Sequence, residues 1–274
     1  MPNVMPAVAA PARRRQPVEA ERLTWRLIRD APRSGARNMA IDHALAACLG
    51  QGEAAARLYS WERPTLSLGR NEPAGPYRGD ALRAAYVDVV RRPTGGRAVL
   101  HDHELTYAVV APIDSWGGVR AAYLRINEAL AHGLRSLGAR VDVAGGIRSL
   151  APDSGPCFRA PAAGEIVAKG KKLVGSAQAR IGGVLLQHGS ILLEGDQGPL
   201  DGLAGHHIPG AGPIGLRDLI GDVSLDEVAG AVAESLRAVL GGGWRSGEPD
   251  ASEREAAERL EAEMYARDTW TWRR

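Results

Sequence analysis

Residues 165–194 contain three apolar segments separated by two short turns, and this arrangement constrains the fold more than any other part of the chain. The turns are Gly170-Lys171 and Gly182-Gly183. Glycine readily adopts the positive φ that tight turns require, so the spacing predicts three consecutive strands connected as hairpins. Hairpins favour an α+β fold over a doubly wound parallel sheet, whose strands need longer crossover connections.

The other segments alternate between helical and extended patterns. Asn38 is the expected N-cap of a first helix, and Ser224 and Glu227 are expected to form a capping box. Apolar residues at helical spacing predict helices at about 38–49, 123–137, 225–240 and 252–267. Further strands are predicted at about 57–61, 86–91 and 104–110.

The composition is that of an ordinary soluble enzyme and excludes several classes of protein. The 274 residues carry a formal net charge of +2, which is too small to indicate nucleic-acid binding. No apolar run approaches the roughly 20 residues of a membrane span. Residues 1–22 are rich in alanine and proline, and we expect a disordered tail there rather than a targeting segment. One catalytic domain that ends in a helix is expected over residues 23–274.

The chain has only two cysteines, Cys48 and Cys157. They match neither a disulfide framework nor a zinc motif, and free thiols indicate a reducing, cytoplasmic setting. Cys48 falls in the first predicted helix, where a small buried hydrophobic residue is expected. Cys157 lies in a predicted loop, in Gly155-Pro156-Cys157-Phe158, where a purely structural thiol is less expected.

Lys172 follows Cys157 in the sequence and completes a candidate reaction centre. A nearby ammonium favours the thiolate, which is the nucleophilic form of cysteine. The run Gly175-Ser176-Ala177 is expected to form a corner whose backbone N–H groups face a developing oxyanion. The pattern suggests acyl transfer through a cysteine thioester, with a buried structural thiol as the alternative.

Three further motifs have simple explanations as well as functional ones. Gly95 and Gly96 either let a ligand approach the backbone closely or form a plain turn. His101 and His103 occupy alternate positions of a predicted strand, which suits a metal, but no third ligand has convincing spacing, so we expect none. Residues 210–215 match a dinucleotide-binding pattern, but no strand precedes them, so a loop is expected.

Taken together, these segments resemble the biotin/lipoate ligase superfamily over about residues 25–272. Residues 91–102 are similar to its arginine–glycine-rich motif, with Arg97 in place of the usual third glycine. Residues 172–178 and 186–193 resemble its lysine and His-Gly motifs, and residues 38–42 resemble its first-helix signature. Cys157-Phe158, placed before the lysine strand, is most similar to the octanoyltransferases of the LipM type.

The resemblance implies a central mixed β-sheet flanked by helices, and an octanoyl transfer that needs no cofactor and no metal. Cys157 would take octanoyl from the thioester of acyl carrier protein, and a lysine of a lipoyl domain or of glycine cleavage H protein would then attack it. Lys172 would orient the acyl carbonyl, and Gly95 and Gly96 would line the acyl channel. The implied substrate-binding residues are Arg92, Thr94, Gly95, Gly96, His101, Gly175, Ser176, Ala177 and His188.

Three alternatives stay open. An ATP-dependent lipoate or octanoate ligase has the same fold, although such ligases generally lack the cysteine. An amidotransferase that takes octanoyl from a carrier such as glycine cleavage H protein shares the cysteine and differs only in its donor. A non-catalytic acyl-binding module is disfavoured because it would need neither Cys157 nor Lys172.

Overall fold

A computed structural model describes residues 20–77, 79–145, 164–195 and 212–273. Cys157, most of the expected tail and part of the 210–215 motif lie outside these ranges. The strands are β1 (Thr24–Arg29), β2 (Glu53–Tyr59), β3 (Thr65–Leu68), β4 (Asp88–Arg91), β5 (Val99–His101), β6 (Glu104–Pro112), β7 (Asp142–Val143), β8 (Ile166–Ala168), β9 (Lys171–Ile181), β10 (Val184–Leu192) and β11 (Gly243–Ser246).

Eight of these strands form a central mixed sheet in the order β11-β1-β2-β6-β10-β9-β8-β7. Strand β1 is parallel to both β11 and β2, and the other neighbours are antiparallel. Strands β8, β9 and β10 are the hairpin-connected meander that the two turns predicted. The predicted α+β class with a central mixed sheet is confirmed.

Helices cover both faces of this sheet. They are α1 (Gly35–Ala47), α2 (Gly79–Ala84), α3 (Val119–Ser136), α4 (Arg217–Ile220), α5 (Leu225–Leu240), α6 (Ala251–Leu260) and α7 (Asp268–Thr271), with a 3-10 turn at Ala20–Arg22 and a π-helical turn at Glu261–Tyr265. Alternate residues of β6 enter two separate cores: Tyr107 and Val109 pack with α3 and α5, whereas Ala108 and Val110 pack with α1 and α6. Both faces are therefore buried.

A second, three-stranded sheet has the order β4-β3-β5 and carries the arginine–glycine loop between β4 and β5. Its own small core includes Leu66, Leu82 and Leu100. Arg91 is fully buried and its Nε donates to the carbonyl oxygen of Thr271 at 2.9 Å, which fixes the last helix to this sheet.

Several predicted boundaries are confirmed. Helix α3 ends just before Gly138, whose φ of +94° is the left-handed conformation expected of a glycine stop. The capping box of Ser224 and Glu227 opens α5. The first turn of the meander lies at Lys169-Gly170, one residue earlier than predicted, because both residues have positive φ.

The first helix begins earlier than predicted, and its N-cap is Ser34 rather than Asn38. The Ser34 side chain accepts from the backbone N–H of Arg37 at 3.3 Å. Asn38 is fully buried, and its amide donates to the carbonyl oxygens of Arg33 and Ser60. Its polar side chain therefore satisfies buried backbone groups of the neighbouring loops instead of capping the helix.

Cys48 forms the C-cap of α1 and is half-buried, so the prediction of a small residue inside the helix is only partly right. Burial, followed by the nearby carboxylates of Glu253 and Asp250, raises the pKa of its thiol. A raised pKa lowers the thiolate fraction and makes this cysteine a poor nucleophile.

The strand predicted at 57–61 is β2, which begins four residues earlier, and the helix predicted at 252–267 is divided into α6 and the π-helical turn. The sequence patterns missed strands β1, β3, β5, β7 and β11 and the short helices α2, α4 and α7. In β1 the four central residues are all buried, so no alternation marks the strand. None of the helices in the described part of the chain has the length and apolar character of a membrane span.

Candidate active site

A cavity with about 380 Å³ of space, part of it open to solvent, lies where the small sheet meets β6, β9, β10 and α1. Its walls are formed by Met39, Tyr59, Trp61, Ser67, Arg92, Val99, His101, Thr106, Gly175, Ser176, Ala177, His188, Gly189 and Ser190. Three motifs that are distant in the sequence therefore converge on one cavity.

The structure brings together six of the predicted substrate-binding residues on the cavity wall: Arg92, His101, Gly175, Ser176, Ala177 and His188. Thr94 lies behind the wall, in contact with His188. Gly95 and Gly96 do not line this cavity, so their contact with the acyl chain stays a prediction. Gly96 has a φ of +88°, a conformation that favours glycine. A Cβ on Gly69 would lie 1.8 Å from the carbonyl oxygen of Gly96, so close packing of the two backbones explains the glycine at position 69.

His188 is the centre of a buried chain that runs from a carboxylate to a hydroxyl. Its Nδ1 lies 2.9 Å from Oδ2 of Asp42, and its Nε2 lies 2.6 Å from Oγ1 of Thr94. Asp42 also accepts from Arg57 and from the Tyr59 hydroxyl, both at 2.8 Å. Because the Asp42 oxygens accept from these neighbours, the network assigns the proton to Nδ1 and leaves Nε2 to accept from Thr94.

Burial lowers the pKa of His188 below its usual range, although the hydrogen bond and charge of Asp42 act in the opposite direction. The imidazole is therefore neutral at neutral pH. A neutral imidazole can take up a proton, and the nitrogen that accepts here is Nε2, which is bonded to Thr94.

His101 occupies a second chain of the same form on the cavity wall. Its Nδ1 lies 2.8 Å from Oε1 of Glu104, and its Nε2 lies 2.7 Å from Oγ of Ser67. The same carboxylate oxygen accepts from three further donors: Trp61, Thr106 and Ser190. The ring of Trp61 stacks on the imidazole at 4.0 Å between centroids. Several hydrogen bonds thus hold the Glu104 carboxylate beside His101, whereas the Asp42 carboxylate beside His188 also pairs with the guanidinium of Arg57.

Arg92 fixes the arginine–glycine loop. It is buried, and its Nη1 donates to the carbonyl oxygen and Oγ of Ser67 at 2.9 and 3.0 Å. Its Nη2 donates to the carbonyl oxygens of Gly95 and Arg97 at 2.8 and 2.7 Å. The guanidinium thus organises the loop around itself at the edge of the cavity.

The predicted corner at Gly175-Ser176-Ala177 is wrong, because these residues lie inside strand β9. They pair with residues 188–190 of β10. Glycine is required at Gly189, where an added Cβ would lie 2.1 Å from the carbonyl oxygen of Gly175. Among the described strands, β8 ends its pairing with β9 at Val174, so the other edge of this segment has no strand partner there.

Asn127 links strand β9 to Gly164. It is fully buried on α3; its Oδ1 accepts from Ser176 at 3.1 Å and its Nδ2 donates to the carbonyl oxygen of Gly164 at 2.7 Å. The hydroxyl of Tyr107 donates to Ser176 at 2.7 Å. A polar residue on the apolar face of an amphipathic helix is the one sequence signal that could have identified Asn127.

Lys172 and Lys171 are placed as the strand pattern predicted, one buried and one exposed. The Nζ atom of Lys172 lies 2.6 Å from Oε1 of Glu165, and both side chains are almost completely buried. Lys172 is not on the wall of the 380 Å³ cavity; it precedes Gly175 in the same strand. Its contact with the acyl group therefore stays a prediction, as does the role of Cys157.

The two histidines of the His101-Asp102-His103 segment do not share a face. His101 is buried, whereas His103 is exposed with a φ of +46°. Within residues 20–77, 79–145, 164–195 and 212–273, no group of three or more histidine, cysteine or acidic side chains is arranged to hold a metal ion.

Comparison with known proteins identifies the class first through the fold. Lipoate-protein ligase A bound with ATP superposes with a TM-score of 0.77 at 24% identity, covering 91% of this chain and 99% of that one. A bi-partite lipoate protein ligase from Thermoplasma acidophilum superposes with a TM-score of 0.73 at 24% identity, covering 91% of this chain and 96% of that one. The fold is therefore that of the lipoate ligases.

Sequence relatives then define the family. The profile of the lipoyl protein ligase A/B catalytic domain matches residues 34–237, so the chain belongs to that family. "Octanoyltransferase LipM" of Kyrpidia tusciae is 44% identical, covering 92% of this chain and 99% of the relative. "Octanoyltransferase LipM" of Symbiobacterium thermophilum is 36% identical, covering 91% and 98%. The resemblance drawn from the motifs is confirmed.

Proposed function

We propose that this chain moves an octanoyl group from the thioester of acyl carrier protein to a lysine of a lipoyl domain, with Cys157 as the transient acyl carrier. The chain is an octanoyltransferase of lipoate biosynthesis, in keeping with relatives that match almost its whole length. One observation carries the site: the arginine–glycine loop, the lysine strand and the His-Gly strand meet at a single cavity.

The wall of the cavity suits the hydrocarbon part of an acyl chain. Side chains with large apolar surfaces, among them Met39, Tyr59 and Val99, form part of its wall. Burial of eight carbons at about 0.8 kcal/mol each gives an upper bound of roughly 6 kcal/mol for binding the chain. The acyl chain supplies much of the binding energy, so the polar groups are left to orient and react.

The chemistry proceeds in two transfers. The Cys157 thiolate attacks the donor carbonyl, and the carrier thiol leaves; an acceptor lysine then attacks the new thioester, forms an amide and releases Cys157. The first exchange is nearly isoenergetic and the second is downhill, so no nucleotide is consumed. Lys172 stabilises charge on the carbonyl oxygen, and the imidazole of His188 or of His101 takes the proton that the acceptor amine loses.

The test is intact-protein mass spectrometry after mixing the chain with octanoyl-carrier protein. The wild type should gain one octanoyl mass that neutral hydroxylamine removes. Cys48→Ala, the matched control, should gain the same mass, whereas Cys157→Ala should gain none that hydroxylamine removes while still binding the donor. Hydroxylamine-sensitive labelling of Cys157→Ala would exclude Cys157 as the acyl carrier.

The acceptors we propose are the lipoyl domains of 2-oxoacid dehydrogenases or glycine cleavage H protein, which implies an enzyme of the cytoplasm. The sister amidotransferase reaction differs only in its donor. Octanoylated H protein and octanoyl-carrier protein, offered separately at equal concentration, distinguish the two. Faster labelling of Cys157 by octanoylated H protein would assign the amidotransferase activity instead.

A further inference from the structure

The first two turns of helix α3 present apolar side chains to solvent. Val119 and Leu124 are 41% and 45% exposed, and among the described residues Tyr86 is the only other exposed large apolar side chain. A single exposed apolar residue is common on a soluble protein and needs no explanation. Two on one stretch of helix justify a closer look at the residues around them.

Arginine side chains surround these apolar residues. Arg120 and Arg125 are exposed on either side of Leu124, and Arg120 is its neighbour on the helix because the two are four positions apart. The amide of Gln178 on β9 donates to a backbone carbonyl oxygen at the start of α3. Alternate residues of a strand face the same side, so the exposed Arg180 also faces α3.

Acidic residues occur only at the margins of this part of the chain. Residues 119–127 contain no aspartate or glutamate. Asp114 precedes the helix, and Glu128, which follows, pairs with Arg135 at 3.2 Å. An apolar patch bordered by guanidinium groups remains, and we call it the α3 surface; its members are Val119, Arg120, Leu124, Arg125 and Arg180.

The α3 surface lies close to the cavity. Ser176 is on the cavity wall, and Gln178, which contacts the start of α3, is two residues further along β9. At about 3.3 Å per residue, the separation along the strand is about 7 Å. A Cβ on Gly164 would lie 2.9 Å from Tyr123 and 3.1 Å from Leu124, so the chain that leads into β8 packs on the same turn of α3. A partner on the α3 surface can therefore extend a flexible arm into the cavity.

The chemistry of the acyl donor matches that of the α3 surface. In the proposed function, on which this inference rests, the octanoyl thioester is at the end of a phosphopantetheine arm, whose phosphodiester is an anion. Guanidinium groups bind phosphate and carboxylate oxygens through paired hydrogen bonds. The acceptor instead presents a lysine, which carries the same charge as the arginines. The charge of the surface thus favours the donor over the acceptor.

We propose that the α3 surface is the docking site of the acyl carrier protein. Arg120 and Arg180 attract the phosphodiester and acidic side chains of the carrier, and Val119 and Leu124 supply the apolar contact. Charges at the border of an interface act mainly on the rate of association and on its salt dependence. Arg125 also supports the fold, because its Nη2 donates to the carbonyl oxygen of Val239 at 2.6 Å, so it is left unchanged in the test.

The first experiment measures binding without chemistry. A fluorescent carrier protein with a free phosphopantetheine thiol is titrated with the full chain, and its anisotropy gives Kd. Arg120→Glu/Arg180→Glu should raise Kd about ten- to a hundredfold, because like charges then meet. Leu124→Ser should raise Kd to a smaller extent. The matched control is Arg254→Glu/Arg259→Glu, an equal change of net charge on the exposed side of α6, and it should bind as the wild type.

The second experiment separates docking from the reaction. Octanoyl transfer is measured with octanoyl-carrier protein and with octanoyl-pantetheine, a small thioester that has neither phosphate nor protein. Arg120→Glu/Arg180→Glu should show a raised KM for the carrier and a weaker dependence of KM on ionic strength. Its rate with octanoyl-pantetheine should equal that of the wild type, since the cavity is unchanged.

A folded Arg120→Glu/Arg180→Glu variant that binds the carrier as tightly as the wild type would overturn the proposal. So would an equal loss in the α6 control, or a loss of binding to a lipoyl domain with unchanged binding to the carrier. If thermal unfolding shows that the charge reversal does not fold, Arg120→Gln/Arg180→Gln becomes the test and should bind the carrier more weakly than the control. A wild type that does not bind the carrier at all is a different result, because it counts against the carrier as the donor.

Discussion

Two of the buried cations, Arg57 and Lys172, are held in different ways, and the difference separates a structural role from a chemical one. Arg57 is completely buried beneath α1, where its guanidinium meets Asp30, Asp42 and Asn38 and lies 3.9 Å from the centroid of the Tyr59 ring. Lys172 lies in the meander against Glu165. Arginine stays charged and has a rigid fork of donors, whereas a lysine amine can lose its proton and react.

Arg57 therefore suits a structural role and Lys172 a chemical one. The guanidinium neutralises Asp42, and Asp42 in turn fixes the tautomer of His188 at the cavity wall. Lys172 lies in β9, the strand that carries the lysine motif. Four predictions test this division.

The largest expected effect is on folding, at Arg57. Arg57→Ala removes the cation that Asp30 and Asp42 share, and breaking a buried pair in this way costs about 3–5 kcal/mol. We expect the free energy of unfolding in urea to fall by that amount. The matched control is Arg259→Ala, whose exposed pair with Glu255 contributes about 0–1 kcal/mol. Equal losses at the two arginines would end the assignment of Arg57 as the structural cation.

The second effect is on catalysis, at Lys172. Lys172→Ala should slow single-turnover octanoyl transfer to a lipoyl domain by about 10²–10³-fold, because a donor to the developing oxyanion is lost. The rate is taken per folded molecule, since Glu165 also loses its partner. Lys171→Ala, one residue earlier and exposed, should stay within about a factor of three. A larger loss at Lys171 would show that the two lysines have been assigned the wrong roles.

The third effect is the response of the Arg57 network to acid. Burial alone would raise the pKa of the Asp30 carboxyl, but the hydrogen bonds and charges of Arg33 and Arg57 outweigh burial and hold it below its ordinary value. A lowered pKa in the folded state means that Asp30 stabilises the fold above the pKa of the unfolded chain. This stabilisation is lost as the pH falls through the folded value.

We therefore expect the free energy of unfolding to decline between about pH 5 and pH 2, and Asp30→Asn to decline less steeply over the same range. The measurement is urea unfolding at several pH values for both proteins. A variant with the wild-type slope would mean that Asp30 contributes nothing to the acid response of the Arg57 network.

The smallest expected effect concerns ATP and divalent metal ions, whose removal should leave the rate of octanoyl transfer unchanged. Transfer from octanoyl-carrier protein should survive apyrase and EDTA, because the acyl group is already activated as a thioester and the sequence contains no phosphate-binding loop. A loss of transfer that Mg-ATP restores would favour the ligase alternative. It would also mean that a buried cation serves to neutralise a nucleotide, which is neither the structural role assigned to Arg57 nor the acyl-transfer role assigned to Lys172.

Much of the site could be predicted because its motifs are local. The glycine turns of the meander, the capping box before α5 and the adjacent Lys171 and Lys172 depend on residues that are close in sequence. Backbone φ preferences and strand alternation fix these features without help from the rest of the fold. The same reasoning failed at residues 175–177, where a strand was mistaken for a corner because glycine serves close strand packing there and not a turn.

The residues that sequence reasoning missed are mostly polar side chains with partners far along the chain. Asp42 meets Arg57 and His188, and Glu104 meets His101 and Ser190. In the sequence these carboxylates resemble ordinary surface residues, because nothing local shows that a helix or a second strand will cover them. The neutral state of His188 follows from its burial, which lowers the pKa of the imidazole in spite of the neighbouring Asp42.

The sequence by itself determined the α+β class, the meander, the main helices and the family, since hydrophobic periodicity, glycine turns and motif order are written in consecutive residues. Only the tertiary structure decided that Asn38 donates to buried carbonyl oxygens and that Glu165 faces Lys172. It also decided that His101 and His188 each form a hydrogen bond with a different carboxylate. These pairings join residues across different elements, and their energies depend on distance and desolvation. Both quantities exist only once the chain has packed.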